Sequence, residues 1–207
     1  MCFGARWADG KNVKFRSVHH HGQERMLADM WKLMDEADAL VGWNSAAFDH
    51  KHLNREFLEA GMMPPSPSRD VDLMKIVKSQ FKFPSNKLDY VAQALGVGKK
   101  VKHSGFDLWL KCMAGDDRAW REMRRYQVQD VQLLVELYEK LKPWMKWHPD
   151  KNLIDGRSDG CSVCGGRLLR QGVYHTSAST YQKWVCADCG KYHRSAKSIG
   201  TSSVRPV

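Results

Sequence analysis

Val41-Gly-Trp-Asn-Ser-Ala-Ala-Phe-Asp-His-Lys-His-Leu53 joins a short apolar run to a polar turn and then to an acidic residue that opens a helix. Ala39 to Trp43 is small and apolar, the pattern of a buried strand, and Asn44-Ser45 interrupts it. Asp49 falls in the first turn of the following helix, with Leu53, Phe57 and Leu58 on one face and Gly61 as its stop. A carboxylate at the C-terminal edge of a sheet stands where α/β folds hold their ligands. The same residue at a helix start can equally be a plain cap. The stretch alone leaves both roles open.

Upstream, Cys2 to Ala8 and Asn12 to Val18 are β-prone, and Asp9-Gly10 between them predicts a hairpin. His19-His20-His21 reads as a solvated polar loop, too short and unconstrained for a metal site. Gln23 to Ala37 carries Leu27, Met30, Trp31 and Met34 at helical spacing, a core stripe.

Downstream, Met63-Pro-Pro-Ser-Pro67 makes a stiff extended connector, and Asp70-Val-Asp72 begins a second strand-to-helix passage, with either aspartate a weak candidate for a supporting role. Ser85 is placed as the N-cap of a helix ending near Gly96. Gly98-Lys-Lys-Val-Lys102 is a basic loop, a solvated face or a phosphate contact. Asp116 to Leu141 is strongly helical, in one or two pieces, with Val131, Leu134, Val135 and Tyr138 as the expected buried stripe and Pro143 as its end.

The 207 residues are 43% hydrophobic and 27% charged, enough for one ordinary domain with a small appendage. No apolar run approaches the ~20 residues that span a bilayer, and no signal-peptide layout opens the chain, so an intracellular, cytoplasmic protein with no membrane partner is expected. A formal charge of +10 favours a polyanionic partner, with nucleic acid first. Periodicity is lost and turn residues accumulate after His148, which sets expected boundaries at 1–148, a linker over 149–160, and a second module over 161–207.

That module contains Cys161-x-x-Cys164 and Cys186-x-x-Cys189, each followed by glycine. Two such turns supply a closed four-sulfur shell, so a structural Zn²⁺ in a β zinc ribbon is expected, with an iron site as the chemical alternative and disulfides disfavoured. A module this small depends on its metal for folding. Its cations and rings, among them Arg167, Arg170, Tyr174, Tyr181, Lys183 and Trp184, form the mixture that grips single-stranded nucleic acid. Cys2 and Cys112 are left over as small packed side chains.

Tyr126-x-x-x-Asp130 puts a phenol and a carboxylate on one helical face. Asn44-x-x-x-Phe48-Asp49, then Ser85-Asn-Lys-Leu-Asp-Tyr-Val-Ala-Gln-Ala-Leu-Gly96, then Tyr126-x-x-x-Asp130 resembles the ordered motifs of DEDD (DnaQ-like) 3′–5′ exonucleases. The tyrosine variant is most similar to the proofreading domain of family B DNA polymerases. The resemblance implies an α/β RNase H-like mixed sheet with flanking helices and a two-ion Mg²⁺ or Mn²⁺ site. It assigns Asp49 and Asp130 as metal ligands, Tyr126 as the residue orienting the attacking water, and Asn44 and Phe48 as the shapers of a substrate cleft. The implied partner is nucleic acid, single-stranded DNA before RNA. The family's first motif, D-x-E, does not precede Asn44, so the first strand of the sheet is expected to be missing and its neighbours' edges open. With two of four ligands absent, the expectation is an inactive chain, with the missing strand encoded upstream or supplied by another polypeptide. A non-catalytic nucleic-acid-binding protein is the alternative.

Overall fold

A computed structural model describes residues 1–101 and 104–204; Lys102, at the end of the basic loop, and 205–207, at the end of the expected ribbon, lie outside the described residues. The chain forms two compact units, Met1–Lys140 and Leu141–Val207. The second unit thus starts before the expected linker and includes it. Among the described residues no helix is long and apolar enough to cross a membrane.

The first unit opens with β1 (Cys2–Ala5) antiparallel to β2 (Lys14–Ser17), paired from Cys2↔Ser17 to Ala5↔Lys14. The hairpin tip is closed by Gly10 N donating to Trp7 O at 3.0 Å. Contrary to the loop expected there, Val18–His21 is a one-turn helix, α1, because the Ser17 hydroxyl accepts the His20 N–H and caps it. Helix α2 (Gln23–Asp35) buries Met26, Leu27 and Met34.

Strand β3 (Ala39–Gly42) leads through the Asn44 turn into α3 (Asp49–Glu59), and β4 (Arg69–Asp72) returns parallel to β3 with Leu40↔Asp70 and Gly42↔Asp72 in register. The proline connector of this crossover is fastened to α2, since Trp31 Nε1 donates to Met63 O at 2.6 Å and Ser66 N and Oγ both donate to Asp35 Oδ1.

Helices α4 (Leu73–Gln80), α5 (Leu88–Ala94), α6 (Phe106–Met113) and α7 (Asp117–Leu141) follow. Ser85 does not cap α5. Its hydroxyl accepts Lys87 N at 3.3 Å in a local turn, and Lys87 is the N-cap residue without a side-chain bond. The last helix is one piece of 25 residues, started by Asp116 accepting from Arg118 N and Ala119 N. Its buried positions are Ala119, Trp120, Met123, Leu133, Leu137 and Leu141, not the stripe centred on Val131 and Tyr138. A β-carbon on Gly98 would lie 3.0 Å from buried Leu133, so the loop before α6 closes over this face, whereas Val131, 3.3 Å from the position of a β-carbon on Gly4 of β1, stays half-buried.

Phe15, Leu108, Cys112, Ala119, Trp120 and Met123 form one core cluster. Cys2 packs against it, and burial pushes its thiol up to about 11. A second cluster, Met26, Leu27, Met34 and Phe57, receives both Phe3 of β1 and Leu40 of β3. The two strand pairs share that core, yet no ladder joins them among the described residues, which leaves an open edge on each pair. This mixed α/β arrangement of sheets and flanking helices is consistent with the expected RNase H-like fold.

In the second unit a 3₁₀ turn (Lys142–Trp144) and α8 (Lys151–Ile154), capped by Asp150, precede the sheet. Lys151 N donates to Ser162 O at 2.7 Å and Asn152 Nδ2 to Gly160 O at 3.1 Å, so the turn-rich segment is built into the unit. Strands β5 (Leu168–His175), β6 (Ser179–Cys186) and β7 (Tyr192–Arg194) form an antiparallel sheet, with β8 (Gly200–Thr201) also pairing β6. A bulge interrupts β5 between Arg170 and Val173, and Gln182 Nε2 donates to Gly172 O within it.

Candidate functional site

The turn after β3 is held by its parallel neighbour. Asn44 adopts the left-handed region (φ 62°), and its N–H donates to Asp72 Oδ1 at 2.9 Å. The same oxygen caps α4 through Met74 N and Lys75 N, and Asp72 is buried. Ser45 Oγ donates to Asp70 Oδ1 at 3.1 Å, and His50 Nδ1 stands 3.8 Å from that oxygen. Gly42 leaves no room for a β-carbon, which would overlap the Ser45 side chain. The two aspartates read as weak candidates therefore fix the loop that presents Asp49. Parallel pairing supplies the reason, because in-register residues of β3 and β4 place both carboxylates at the end of the sheet.

Asp49 opens α3 at an exposed position, and its carboxyl lies above the usual range, chiefly through partial desolvation by the surrounding turn, with the Asp72 charge adding to it and His50 and His52 opposing. Phe48 is 58% exposed, its ring edge-on to His52 at 4.4 Å. An exposed phenylalanine beside a carboxylate is available to a ligand.

Tyr126 and Asp130 lie one turn apart on α7. The Tyr126 ring packs against the Phe15–Trp120 core cluster, while its hydroxyl accepts from Lys100 Nζ at 3.1 Å. Lys100 Nζ also donates to Asp130 Oδ2 at 2.6 Å, and Asp130 Oδ1 is buried without a partner. Burial works against the Lys100 charge, but the bonds to Asp130 and Tyr126 outweigh it and raise its pKa; burial raises that of Tyr126. Lys100 belongs to the basic loop, so one of its lysines meets carboxylate and phenol. Its sequence position gave no sign of that partner.

A cleft of about 590 Å³ runs from Trp43 and Asn44 past Met74, Lys78 and Lys87 to Lys100. Asn44 and Lys100 line this hollow, in which three lysines outnumber Asp89, while Phe48, Asp49, Tyr126 and Asp130 are not among its lining residues; Tyr126 and Asp130 meet it only through their bonds to Lys100. Among the described residues, neither Asp49 nor Asp130 belongs to a group of three close metal-ligating side chains. Hard divalent ions take oxygen ligands, and the free Asp130 oxygen and the Asp49 carboxylate are of that kind. The donor type is that of Mg²⁺ or Mn²⁺ ligands, but Lys100, bonded to Asp130 Oδ2, opposes a cation on that side.

In the second unit Cys161, Cys164, Cys186 and Cys189 bring four sulfurs within 4.8 Å of one another. Cys161 Sγ to Cys189 Sγ is 3.7 Å and Cys164 Sγ to Cys186 Sγ is 3.5 Å. A tetrahedral shell with metal–sulfur bonds near ~2.3 Å has edges of about 3.8 Å, so the cluster fits a zinc ion closely. Gly165 and Gly190, in the left-handed region, close the two turns by donating to Cys161 O and Cys186 O. Burial raises the Cys164 and Cys189 thiols. At Cys186 it is outweighed by backbone N–H bonds from Cys189 and Asp188, which lower that thiol. Such a crowded set ionises together only around a cation. His193 Nε2 lies 3.1 Å from Cys161 Sγ, an outer contact that the cysteine spacing did not announce.

Over 126 residues the chain is 30% identical to a protein described as "Putative DNA polymerase 060R" of Frog virus 3 (isolate Goorha), covering 59% of this chain and 11% of that protein. The chain therefore spans about a tenth of this relative's length. The family profile of the RNase_H superfamily (RNase_H_2) matches residues 1–142, which takes in β1 to α7 and every motif residue of the first unit. By that match, over more than half its length, the chain belongs to the RNase_H superfamily.

Proposed function

We propose that Met1–Lys140 is a metal-dependent nuclease domain acting as a 3′–5′ exonuclease on nucleic acid, single-stranded DNA before RNA, and that the four-cysteine unit is a structural zinc ribbon that helps hold the substrate. The observation that carries this reading is the meeting of Tyr126 and Asp130 at Lys100, a residue that lines the same cleft as Asn44. Membership of the RNase_H superfamily and the similarity to a viral polymerase support a nucleic-acid-processing role.

In this reading Asp49 and Asp130 hold the divalent ions. Bound ions of this kind lower the pKa of water and stabilise charge on the oxygens of a phosphodiester under attack. Tyr126, its ring anchored in the core, directs its hydroxyl to orient the attacking water. Asn44 and Phe48 shape the seat of the terminal nucleotide, and Lys78 and Lys87 in the cleft wall meet phosphates. On the ribbon, Arg194 sits 4.0 Å from the Tyr181 ring centre and Lys183 5.7 Å from that of Tyr192, pairs suited to phosphates and stacked bases.

The test is incubation of the full chain with 3′-labelled single-stranded DNA and RNA, with Mg²⁺ or Mn²⁺ and with chelator. Metal-dependent shortening from the 3′ end, lost in Asp49→Ala and in Asp130→Asn, would establish the nuclease reading and overturn the inactivity expected of this chain without a D-x-E motif. A second reading, binding without cleavage, is favoured by Lys100 Nζ lying against Asp130, a contact that neutralises the carboxylate without a metal ion. Salt-sensitive binding with no shortening in any metal would decide for it.

A further inference from the structure

The three consecutive histidines, read from sequence as a solvated loop, have separate surroundings. His21 Nδ1 is tied to the Ser17 backbone at 3.3 Å. His19 Nε2 instead lies 2.8 Å from Asp117 Oδ1, across 98 residues of sequence. One ligating atom each from His19, His20 and Asp117 lies within 4.8 Å of the other two.

Buried neighbours hold both imidazoles. Ser17, with no exposed surface, places Oγ 2.9 Å from His20 Nδ1. When Nδ1–H donates to that hydroxyl, Nε2 is the nitrogen free to bind, the usual outer-sphere arrangement of a metal-binding histidine. Trp120, 5% exposed and one turn beyond Asp117 on α7, stacks on His19 at 5.4 Å and 9° and meets His20 edge-on at 6.1 Å and 82°. An exposed His–Asp pair alone is worth little and needs no ion to explain it. Here a second imidazole joins the pair, and both rings are oriented from behind by core residues.

We propose that His19, His20 and Asp117 form a further metal site, for a borderline divalent transition ion such as Zn²⁺, open to solvent at its remaining position. Two nitrogens and one carboxylate suit zinc, nickel or copper and disfavour magnesium, which takes oxygen ligands. Three protein ligands leave a vacancy for water or a further ligand, unlike the closed sulfur shell of the ribbon. Arg121 and Arg124 follow on α7, and their charge opposes a cation, so this site is the weaker of the two zinc sites and exchanges readily.

The experiment is calorimetric titration of the full chain, its ribbon already loaded with zinc, with Zn²⁺ in excess Mg²⁺, for the wild type, His20→Gln and Asp117→Asn. One additional equivalent is expected in the wild type, weakened about tenfold or more in both variants. Far-UV circular dichroism checks that each variant is folded, and exposed Asp117 provides a substitution independent of the α1 turn. No additional equivalent in the wild type, or one bound unchanged by both variants, would overturn the site. Cleavage assays do not enter the readout, so this outcome is separate from that of the nuclease test.

Discussion

The cysteine centre of the ribbon and the carboxylate pair Asp49 and Asp130 are built in opposite ways. In the ribbon, four cysteines arrive as two local turns closed by Gly165 and Gly190, and the hairpin between them brings the turns together. In the larger unit, Asp49 and Asp130 are presented from separate helices, and the loop before Asp49 is braced by Asp70 and Asp72 of the adjacent strand. One centre makes the fold around it; the other is displayed by a fold that has cores of its own. Removing the metal should therefore unfold one unit and leave the other standing.

The sharpest break of that contrast is Cys189→Ser, or a strong chelator. Structural zinc contributes on the order of 10–16 kcal/mol in small zinc modules, so loss of one thiolate should melt Leu141–Val207 outright. Resolved amide NMR signals, with elemental analysis for zinc, would show the ribbon signals collapse while those of Met1–Lys140 persist. Collapse of both sets would mean that the units are not independent.

A smaller effect is expected from Asp72→Ala. It strands the Asn44 amide and uncaps α4, for about 2–4 kcal/mol against Met1–Lys140 in denaturant unfolding. Asp49→Ala, at an exposed position, should stay within about 0.5 kcal/mol of the wild type. Equal losses at the two sites would erase the distinction between bracing and displayed carboxylates.

The smallest effect is a displacement in pH. Because the Asp49 carboxyl lies above its ordinary value, a proton competes for it at higher pH than at a free aspartate. Mn²⁺ binding that depends on Asp49 should be full at neutral pH and fall on acidification, beginning above the ~3.9 of an ordinary aspartate. Mn²⁺ paramagnetic resonance across an acid titration, compared with Asp49→Asn, measures that displacement.

Much of this was legible because the signals were local. The apolar run, the Asn44-Ser45 break and the acidic helix start gave β3 and α3, and paired C-x-x-C-G turns gave the cysteine cluster. What sequence missed depends on partners far along the chain. Asp72 reaches Asn44 across 28 residues, Lys100 reaches Asp130 across 30, and His19 reaches Asp117 across 98. The buried face of α7 was misplaced for the same reason: periodicity gives an apolar stripe its width, while tertiary neighbours such as Gly98, close to Leu133, select its centre. Ser85 lost its cap because a local turn to Lys87 competed for the same hydroxyl.

The fastened proline connector also sets where this chain tolerates added length. Its anchors, Met63 O to Trp31 and Ser66 to Asp35, are three residues apart, so an inserted residue between them would pull one anchor out of reach and loosen the crossover that brings Asp70 and Asp72 beside β3. Among the described residues the hairpin tip from Trp7 to Asn12 carries no comparable tie beyond its own turn, and most of it lies exposed. A peptide epitope or reporter grafted into the tip should leave the domain intact, whereas the same graft between Met63 and Ser66 should not.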